Sequence, residues 1–303
     1  MILAIAGPTA AGKSALGMAL AESIDGEIVS VDSAQVYRGL DIGSAKPSLE
    51  ERQRVRHWLI DIREPTDSYS AADFCADARA AIADIEGRGK TPILVGGTML
   101  YLRALRDGLS ALPSADAAVR AALQLELASH GLAALHEELA RVDPESAARI
   151  HRNDTQRTLR ALEVFRSTGK PMSAQLGSAE AGMPLNIVAV APADRAVLHQ
   201  RIEARLDAMF ASGFIDEVRV LMKQRGMHPD LPSMRSVGYR QVWAHLTGEY
   251  DANECLQRAL FATRQLAKRQ LTWLRGDNAV TWIDPTREDF TATLDRLAGQ
   301  LPN

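Results

Sequence analysis

The hydrophobic positions of this chain form short apolar runs that alternate with longer amphipathic stretches. Each run is about five residues long and is bounded by Gly, Pro or polar residues, which is the pattern of a buried strand. The runs are 2–6, 27–31, 58–62, 91–95 and 185–190, with a late piece at 279–283 that predicts an edge strand. Helical stretches separate them. This alternation predicts a doubly wound parallel α/β sheet.

The pattern changes at Leu112-Pro113, after which the chain is Ala-rich and helical and contains no convincing strand until 185–190. A helical insertion into the sheet domain explains this change. We therefore predict a catalytic core made of 1–113 and 184–303, and an insertion domain at 114–183.

A glycine-rich segment, Gly7-Pro-Thr-Ala-Ala-Gly-Lys-Ser14, joins the first strand to the first helix. It matches G-x-x-x-x-G-K-[ST] in the strand-to-helix context that this ATP-binding motif requires. Its main-chain N–H groups can cradle phosphates, Lys13 adds positive charge, and the Ser14 hydroxyl can reach Mg²⁺. The predicted diphosphate ligands are Gly7, Pro8, Thr9, Ala10, Ala11, Gly12, Lys13 and Ser14. The motif does not identify the phosphate compound.

Two more polar loops follow predicted strands, Asp32–Tyr37 and Gly96–Tyr101. Ligands of parallel sheets bind at the carboxyl ends of strands. Position alone leaves Asp32 open as a helix cap, a general base or a Mg²⁺ ligand. No acidic residue follows 91–95, where an ATPase of this type normally carries one, although Asp32 and Asp61 remain as alternatives. This argues against ATP hydrolysis.

The charge of the chain is unevenly distributed. The 303 residues are 46% hydrophobic, enough for a full core, and their net charge of −3 does not by itself suggest a nucleic-acid ligand. Three stretches are nevertheless basic, at 149–166, 234–241 and 255–276, and the last contains no acidic residue. One such run is usually a solvated helix surface. Three runs combined with a phosphate loop favour a large anionic partner such as RNA.

Cysteine content and hydropathy indicate the compartment. Cys75 and Cys255 are far apart and have no histidine companions at metal-ligand spacing. The apolar start covers only about six residues, against the roughly 20 that span a bilayer, and it lacks a basic leader. We expect a cytoplasmic monomer with no membrane span, no export signal and no structural zinc.

Together the motifs resemble the tRNA dimethylallyltransferases (tRNA isopentenyltransferases) over nearly the whole chain. The matching segments are GPTAAGKS at 7–14, DSAQVY at 32–37, GGTMLY at 96–101, PSADAAVR ending at Arg120, NDTQRTLRALE at 153–163, RIEARLDAMFASGFIDEV at 201–218, RSVGYRQ at 235–241 and ATRQLAKRQLTWLR at 262–275. The resemblance implies a P-loop kinase-like fold. It also implies transfer of a dimethylallyl group from dimethylallyl diphosphate to the exocyclic N6 amine of the adenosine 3′-adjacent to the anticodon, in tRNAs that read codons beginning with U.

The resemblance also implies roles for individual residues. Asp32 is the candidate base, Thr98 lies beside the reacting centre, and Lys13 with Mg²⁺ at Ser14 stabilises the departing diphosphate. Arg201 and Arg205 resemble the lid arginines of related folds, and the sequence does not decide which of them touches the diphosphate. The chain ends at Asn303 without the zinc-finger extension of eukaryotic nuclear and cytoplasmic relatives, so a bacterial-type enzyme is expected.

The predicted tRNA contacts lie in six regions of the chain, and Tyr239 is expected to offer a stacking face for a base. They are Asp32, Ser33, Ala34, Gln35, Thr98, Arg120, Gln156, Arg157, Thr158, Leu159, Arg160, Arg235, Ser236, Val237, Gly238, Tyr239, Arg240, Lys268, Arg269, Gln270, Trp273 and Arg275. The alternatives are a small-molecule P-loop kinase, an adenylate isopentenyltransferase and a non-catalytic RNA-binding NTP switch. The enzyme alternatives do not need three basic surfaces, and a γ-phosphate sensor for the switch is not evident.

Overall fold

A six-stranded sheet forms the centre of the protein. The computed structural model describes residues 1–110, 112–113, 116–176 and 181–301. The strands are β1 Ile2–Ala6, β2 Glu27–Val31, β3 His57–Trp58, β4 Pro92–Gly96, β5 Leu185–Val190 and β6 Thr281–Ile283. Their order is β3-β2-β4-β1-β5-β6, and every neighbouring pair is parallel. The predicted α/β class with a parallel sheet is confirmed.

Helices connect these strands. They are α1 Lys13–Ser23, α2 Leu49–Arg54, α3 Ala71–Gly87, α4 Met99–Asp107, α5 Ala117–Val142, α6 Pro144–Arg149, α7 Thr155–Thr168, α8 Met172–Gln175, α9 Arg195–Ala211, α10 Phe214–Met222, α11 Tyr239–Leu246, α12 Ala252–Arg275 and α13 Phe290–Ala298. None of the helices in the described part of the chain combines the length and the apolar composition needed to cross a membrane.

The central strands are buried on both faces, which explains their continuously apolar sequences. Leu3, Ile5, Ile93 and Val188 are each at most 1% exposed and share one hydrophobic cluster with residues of α1. The register pairs Ala6 and Val31 with Gly96 on either side. The carboxyl ends of β1, β2 and β4 therefore lie side by side, and the loops that follow them meet.

One predicted strand is much shorter than expected. The apolar run 58–62 contributes only its first residue to β3, because Leu59 and Asp61 have positive φ angles of 62° and 57° and turn the chain out of the sheet. Leu59 and Ile60 are still buried. The predicted edge strand at 279–283 is present as β6, which pairs only with β5 among the described strands.

The chain divides into two compact units, Met1–Arg106 with Met183–Asn303, and Asp107–Gly182. The second unit is helical and overlaps the predicted insertion, which begins later, at 114. Its helix α5 is broken at Gly131, whose φ of 78° is left-handed. Its core contains Leu123, Leu135, Leu139, Ile150, Ala161 and Leu162.

Candidate active site

The loop after β1 has the backbone that its glycines allow. Gly7 and Gly12 have φ angles of 151° and 102°, which side chains disfavour. A Cβ on Gly7 would also lie 2.2 Å from the Val190 carbonyl oxygen. Helix α1 then begins at Lys13, so its positive end faces the loop. The backbone conformation of this loop therefore permits the predicted anion cradle.

Lys13 carries the mobile charge of this cradle. Its Nζ donates to the Pro8 carbonyl oxygen at 2.7 Å. Burial, and secondly the positive charge of Arg205, lower the pKa of Lys13 to about 8, while the negative charge of Asp32 raises it. Burial likewise lowers the pKa of Arg205, and Asp32 opposes that shift. Two cations and one carboxylate thus interact around the loop.

The loop after β2 positions Asp32. Its Oδ1 accepts hydrogen bonds from the N–H groups of Ala34 at 2.8 Å and Gln35 at 3.3 Å. Asp32 is therefore a turn cap through one oxygen. None of the described residues donates a hydrogen bond to Oδ2. The side chain is partly exposed, so this second oxygen is the one available for a hydrogen bond from a ligand.

Thr98 lies next to Asp32 because two loops are tied together. The N–H groups of Gly97 and Thr98 both donate to the Val31 carbonyl oxygen at 3.1 Å. The Ser33 N–H donates to the Thr98 Oγ1 at 3.1 Å. The structure thus brings two of the predicted catalytic residues, from different strands, to one edge of the sheet.

A cavity of about 680 Å³ opens at this edge. Its polar lining includes Lys13, Ser14, Asp32, Thr98 and Arg205. Its apolar lining includes Met99, Ile202, Leu206, Met209 and Phe214. An anion cradle, a carboxylate and an apolar wall therefore share one space, which suits a substrate with a diphosphate and a short hydrocarbon chain.

The two lid-arginine candidates have different positions. Arg205 lines the cavity and interacts electrostatically with Lys13 and Asp32. The Nη1 of Arg201 lies 3.5 Å from the Ala11 carbonyl oxygen, so it contacts the outside of the loop's main chain. Arg205 is the better placed of the two to contact a ligand.

Glu217 is a site residue that the sequence did not reveal. One carboxylate oxygen accepts from the N–H groups of Asp41 at 3.0 Å and Ile42 at 2.6 Å. The other accepts from the Gly43 N–H at 3.2 Å and from the Tyr239 hydroxyl at 2.7 Å. This carboxylate fixes the loop 41–47, part of which lines the cavity.

Lys46, which belongs to the loop 41–47, also holds this loop in place. Its side chain is 2% exposed, and its Nζ donates to the Tyr37 carbonyl oxygen at 2.8 Å and to Asp61 at 2.6 Å. Asp61 also accepts from Arg52 at 2.7 Å. Asp61, considered above as an alternative to the missing ATPase acid, is therefore a structural partner of Lys46 and Arg52.

Gln35 is held by its own chain at the cavity wall. Its Oε1 accepts from the Ser30 hydroxyl at 2.9 Å, and its Nε2 lies 3.2 Å from the Ala45 carbonyl oxygen and 3.4 Å from that of Ser44. The predicted contact of Gln35 with tRNA would require these weak Nε2 contacts to exchange.

Several residues predicted to bind tRNA are exposed cations of the first unit. Arg235, Arg240, Lys268, Arg269 and Arg275 are exposed and form no ion pair with a described residue. The cavity is lined by Arg235, Ser236, Val237, Gly238, Arg269 and Trp273. Two of these exposed cations, Arg235 and Arg269, therefore lie at the cavity itself.

Four predictions need correction. Tyr239 is not a stacking platform, because it is 0% exposed and packs edge-to-face on Phe214 with 5.0 Å between ring centroids. Thr158 is also 0% exposed, inside the helical unit. Gln270 is 7% exposed, and its amide bonds to the main chain of Thr9 and Gly97. The Thr9 N–H is consequently engaged by Gln270 and not by a phosphate.

The basic run of the second unit is largely neutralised within that unit. Arg166 pairs with Glu126 at 2.7 Å and with Glu138 at 2.8 Å. Arg120 and Arg160 both pair with the buried Glu163 at 3.2 Å. Leu159 packs against the hydrophobic cluster of the unit. The exposed candidates that remain from 156–160 are Gln156 and Arg157.

Comparison with known proteins shows the family to which this chain belongs. The model of the family described as IPP transferase matches residues 35–277. The chain is 56% identical to a tRNA dimethylallyltransferase of Stenotrophomonas maltophilia, over 99% of this chain and 95% of that protein. It is 55% identical, with the same coverage, to one of Halorhodospira halophila. This chain belongs to the IPP transferase family.

Solved structures of IPP transferases share the fold. The tRNA isopentenylpyrophosphate transferase of Bacillus halodurans superposes with a TM-score of 0.71 at 39% identity, covering 99% of this chain and 94% of that one. A eukaryotic dimethylallyltransferase described as acting on tRNA gives a TM-score of 0.80 at 28% identity, covering 99% and 76%. The resemblance found in the sequence is thereby confirmed.

Proposed function

We propose that this IPP transferase moves a dimethylallyl group from dimethylallyl diphosphate to the N6 amine of the adenosine 3′-adjacent to the anticodon. The acceptors are tRNAs that read codons beginning with U, and diphosphate is released. The observation that carries the proposal is the single cavity shared by the phosphate loop, Asp32 and an apolar wall. We also propose that the enzyme acts as a monomer, and the tRNA substrate implies a cytoplasmic location.

The loop after β1 would bind the leaving group. As the C–O bond of the donor breaks, its electron pair stays on the diphosphate, where negative charge grows. Lys13 and Arg205, which line the cavity, would stabilise that charge together with the main-chain N–H groups of the loop. The apolar side chains of Leu206 and Met209 offer a surface for the five-carbon group.

Ser14 fits a role in holding Mg²⁺. Its side chain is exposed in the cavity and its hydroxyl makes no hydrogen bond with a described residue. No group of three or more His, Cys, Asp or Glu able to hold a metal occurs among the described residues. Mg²⁺ typically uses few protein ligands together with substrate phosphates. The Ser14 hydroxyl and the phosphates of the donor could therefore hold the ion together. When bound, the ion would neutralise charge on the diphosphate.

Asp32 would take the proton of the amine. The lone pair of an adenine amine is delocalised into the ring, so removing a proton as the C–N bond forms assists the attack. Oδ2 of Asp32 accepts no hydrogen bond from a described residue, and Asp32 lines the cavity together with Thr98 and residues of the phosphate loop. The adenosine must leave its stacked position to reach this oxygen, at a cost of a few kcal/mol.

Purified protein tests the proposal directly. With Mg²⁺ and labelled dimethylallyl diphosphate, it should transfer label to unmodified tRNA with adenosine 3′ of the anticodon. The matched tRNA with guanosine at that position should stay unlabelled. Transfer to free AMP but not to tRNA would favour an adenylate isopentenyltransferase. ATP-dependent phosphorylation of a small molecule without prenyl transfer would favour a kinase.

Donor affinity should fall as the pH rises above 8. The pKa of Lys13 is lowered to about 8 before the donor binds, and the diphosphate favours the protonated form. Above that pH, binding must first restore the proton, so the dissociation constant should rise towards tenfold per pH unit. Calorimetric titration with the donor between pH 7 and 9.5 measures this. Lys13→Met should bind weakly with little pH dependence, and a flat wild-type profile would contradict the assignment.

Lys268→Ala should weaken tRNA binding without changing donor affinity. Lys268 is an exposed cation on α12 with no ion pair among the described residues. A lost phosphate contact should reduce the steepness of the logarithmic salt dependence by about 0.7 to 0.9. Filter binding at several salt concentrations measures this slope. Lys223→Ala, at the exposed end of α10, is the control, and an equal effect of both variants would argue against a specific contact.

A further inference from the structure

Gln270 connects two loops of the candidate active site through one side chain. It lies on α12 and is 7% exposed. Its Oε1 accepts from the Thr9 N–H at 2.9 Å, and its Nε2 donates to the Gly97 carbonyl oxygen at 2.7 Å. The phosphate loop after β1 and the loop after β4 are thereby held at a fixed separation.

The packing around this amide leaves little room for another arrangement. A Cβ on Gly97 would lie 2.5 Å from the Gln270 Nε2 and 3.3 Å from the Gly7 carbonyl oxygen. Both distances are too short for ordinary contact. Glycine at position 97 therefore admits the side chain that reaches the phosphate loop.

The chemistry of an amide suits this position. Thr9 offers a donor and Gly97 an acceptor, and a main-chain group buried without a partner is costly. An amide supplies an acceptor and a donor on neighbouring atoms. A carboxylate supplies acceptors only, and a methionine of similar length supplies no comparable donor.

The contacts of Gln270 lead on to the predicted catalytic residues. Thr98, next to the bonded Gly97, accepts from the Ser33 N–H at 3.1 Å, and Ser33 follows Asp32. Hydrogen bonds and the Gly97–Thr98 peptide bond therefore connect the phosphate loop, through Gln270, to the loop that carries Asp32.

We propose that Gln270 is a positioning residue that sets the distance between the diphosphate and the amine that attacks. The inference rests on the proposed function, because it concerns the approach of N6 to C1 of the donor. Reacting atoms must come within roughly 3 to 3.5 Å, and a misplacement of about 1 Å reduces rates about 100-fold. Gln270 thus acts through Thr9 and Gly97 without touching the tRNA.

Gln270→Met tests the positioning role. The variant should lower the single-turnover rate about 10- to 100-fold at saturating donor and tRNA. Its tRNA dissociation constant should stay within about twofold of wild type. Gln257→Met, at an exposed position of the same helix, is the matched control and should behave as wild type. Rates are compared at a temperature at which circular dichroism shows all variants folded.

Gln270→Glu adds a readout that a merely structural residue would not give. The protonated carboxyl again offers an acceptor to Thr9 and an O–H donor to Gly97, whereas the carboxylate repels the Gly97 oxygen. The single-turnover rate of this variant, relative to wild type at the same pH, should therefore rise as the pH falls from 8 to 6. The same ratio for Gln257→Glu should stay constant.

The outcomes separate the inference from the function on which it rests. A wild-type protein unable to prenylate tRNA would contradict the proposed function. An active wild type with Gln270→Met as fast as Gln257→Met, or a pH-independent ratio for Gln270→Glu, would overturn the positioning role. Loss of tRNA affinity at an unchanged rate would instead make Gln270 a tRNA contact, which also overturns it.

Discussion

Asp32→Asn should lower the single-turnover rate about 1,000-fold and leave tRNA affinity within about twofold. General-base assistance contributes typically 10²- to 10⁴-fold, and the amide cannot accept the proton from N6. Asparagine keeps an oxygen for the N–H groups of Ala34 and Gln35, so the turn should persist. Rapid quench with labelled donor measures the rate, and filter binding measures the tRNA affinity.

Asp207→Asn is the control for this experiment. Asp207 is exposed on α9, the helix that carries Arg205, and forms no ion pair with a described residue. The substitution removes the same charge outside the cavity lining and should leave the rate near wild type. If Asp32→Asn abolished tRNA binding but reacted normally at saturating tRNA, Asp32 would be a recognition group and another base would be needed.

Glu217→Ala should destabilise the first unit by about 3 kcal/mol. The substitution leaves three main-chain N–H groups and the buried Tyr239 hydroxyl without their acceptor, and bonds to charged groups contribute about 1.5 to 3 kcal/mol each. Water offsets part of this loss of free energy, because it can hydrogen-bond to the N–H groups of the half-exposed loop. All four tryptophans lie in the first unit, so their fluorescence during urea unfolding reports its stability.

Glu203→Ala provides the comparison. Glu203 pairs with Arg264 at 3.0 Å on a surface where the two side chains are 53% and 33% exposed. Exposed pairs of this kind contribute about 0 to 1 kcal/mol. Equal urea midpoints for the two variants would show that water replaces the Glu217 carboxylate at little cost. Glu217→Gln, which keeps one acceptor oxygen, should lie between Glu217→Ala and wild type.

The fold was predictable where burial decides local structure. The bounds of β1, β2 and β5 match the apolar runs because parallel strands covered on both faces require continuous apolar sequence. The run 58–62 does not form a full strand although four of its five residues are apolar. There Asp61 turns towards Lys46 and Arg52, and a distant polar contact of this kind leaves no periodic signal.

The candidate active site was likewise predictable where local structure decides it and unpredictable where distant residues meet. The phosphate loop, Asp32 and Thr98 were predicted to share an edge because parallel strands end together. Tyr239 was misassigned, because its neighbour Arg240 is exposed while the tyrosine occupies the inward face of α11. Glu217 lies 175 residues from Ile42, and Gln270 lies 261 residues from Thr9. Only the folded chain shows such pairs.

The loop that Glu217 holds also affects where a diphosphate can bind. Three successive N–H groups, from Asp41 to Gly43, form a concave set of donors of the kind that attracts anions. The chain fills this second cradle with its own carboxylate. We therefore expect the donor diphosphate to bind at the loop after β1 and not at the N–H groups of 41–43, which Glu217 already occupies.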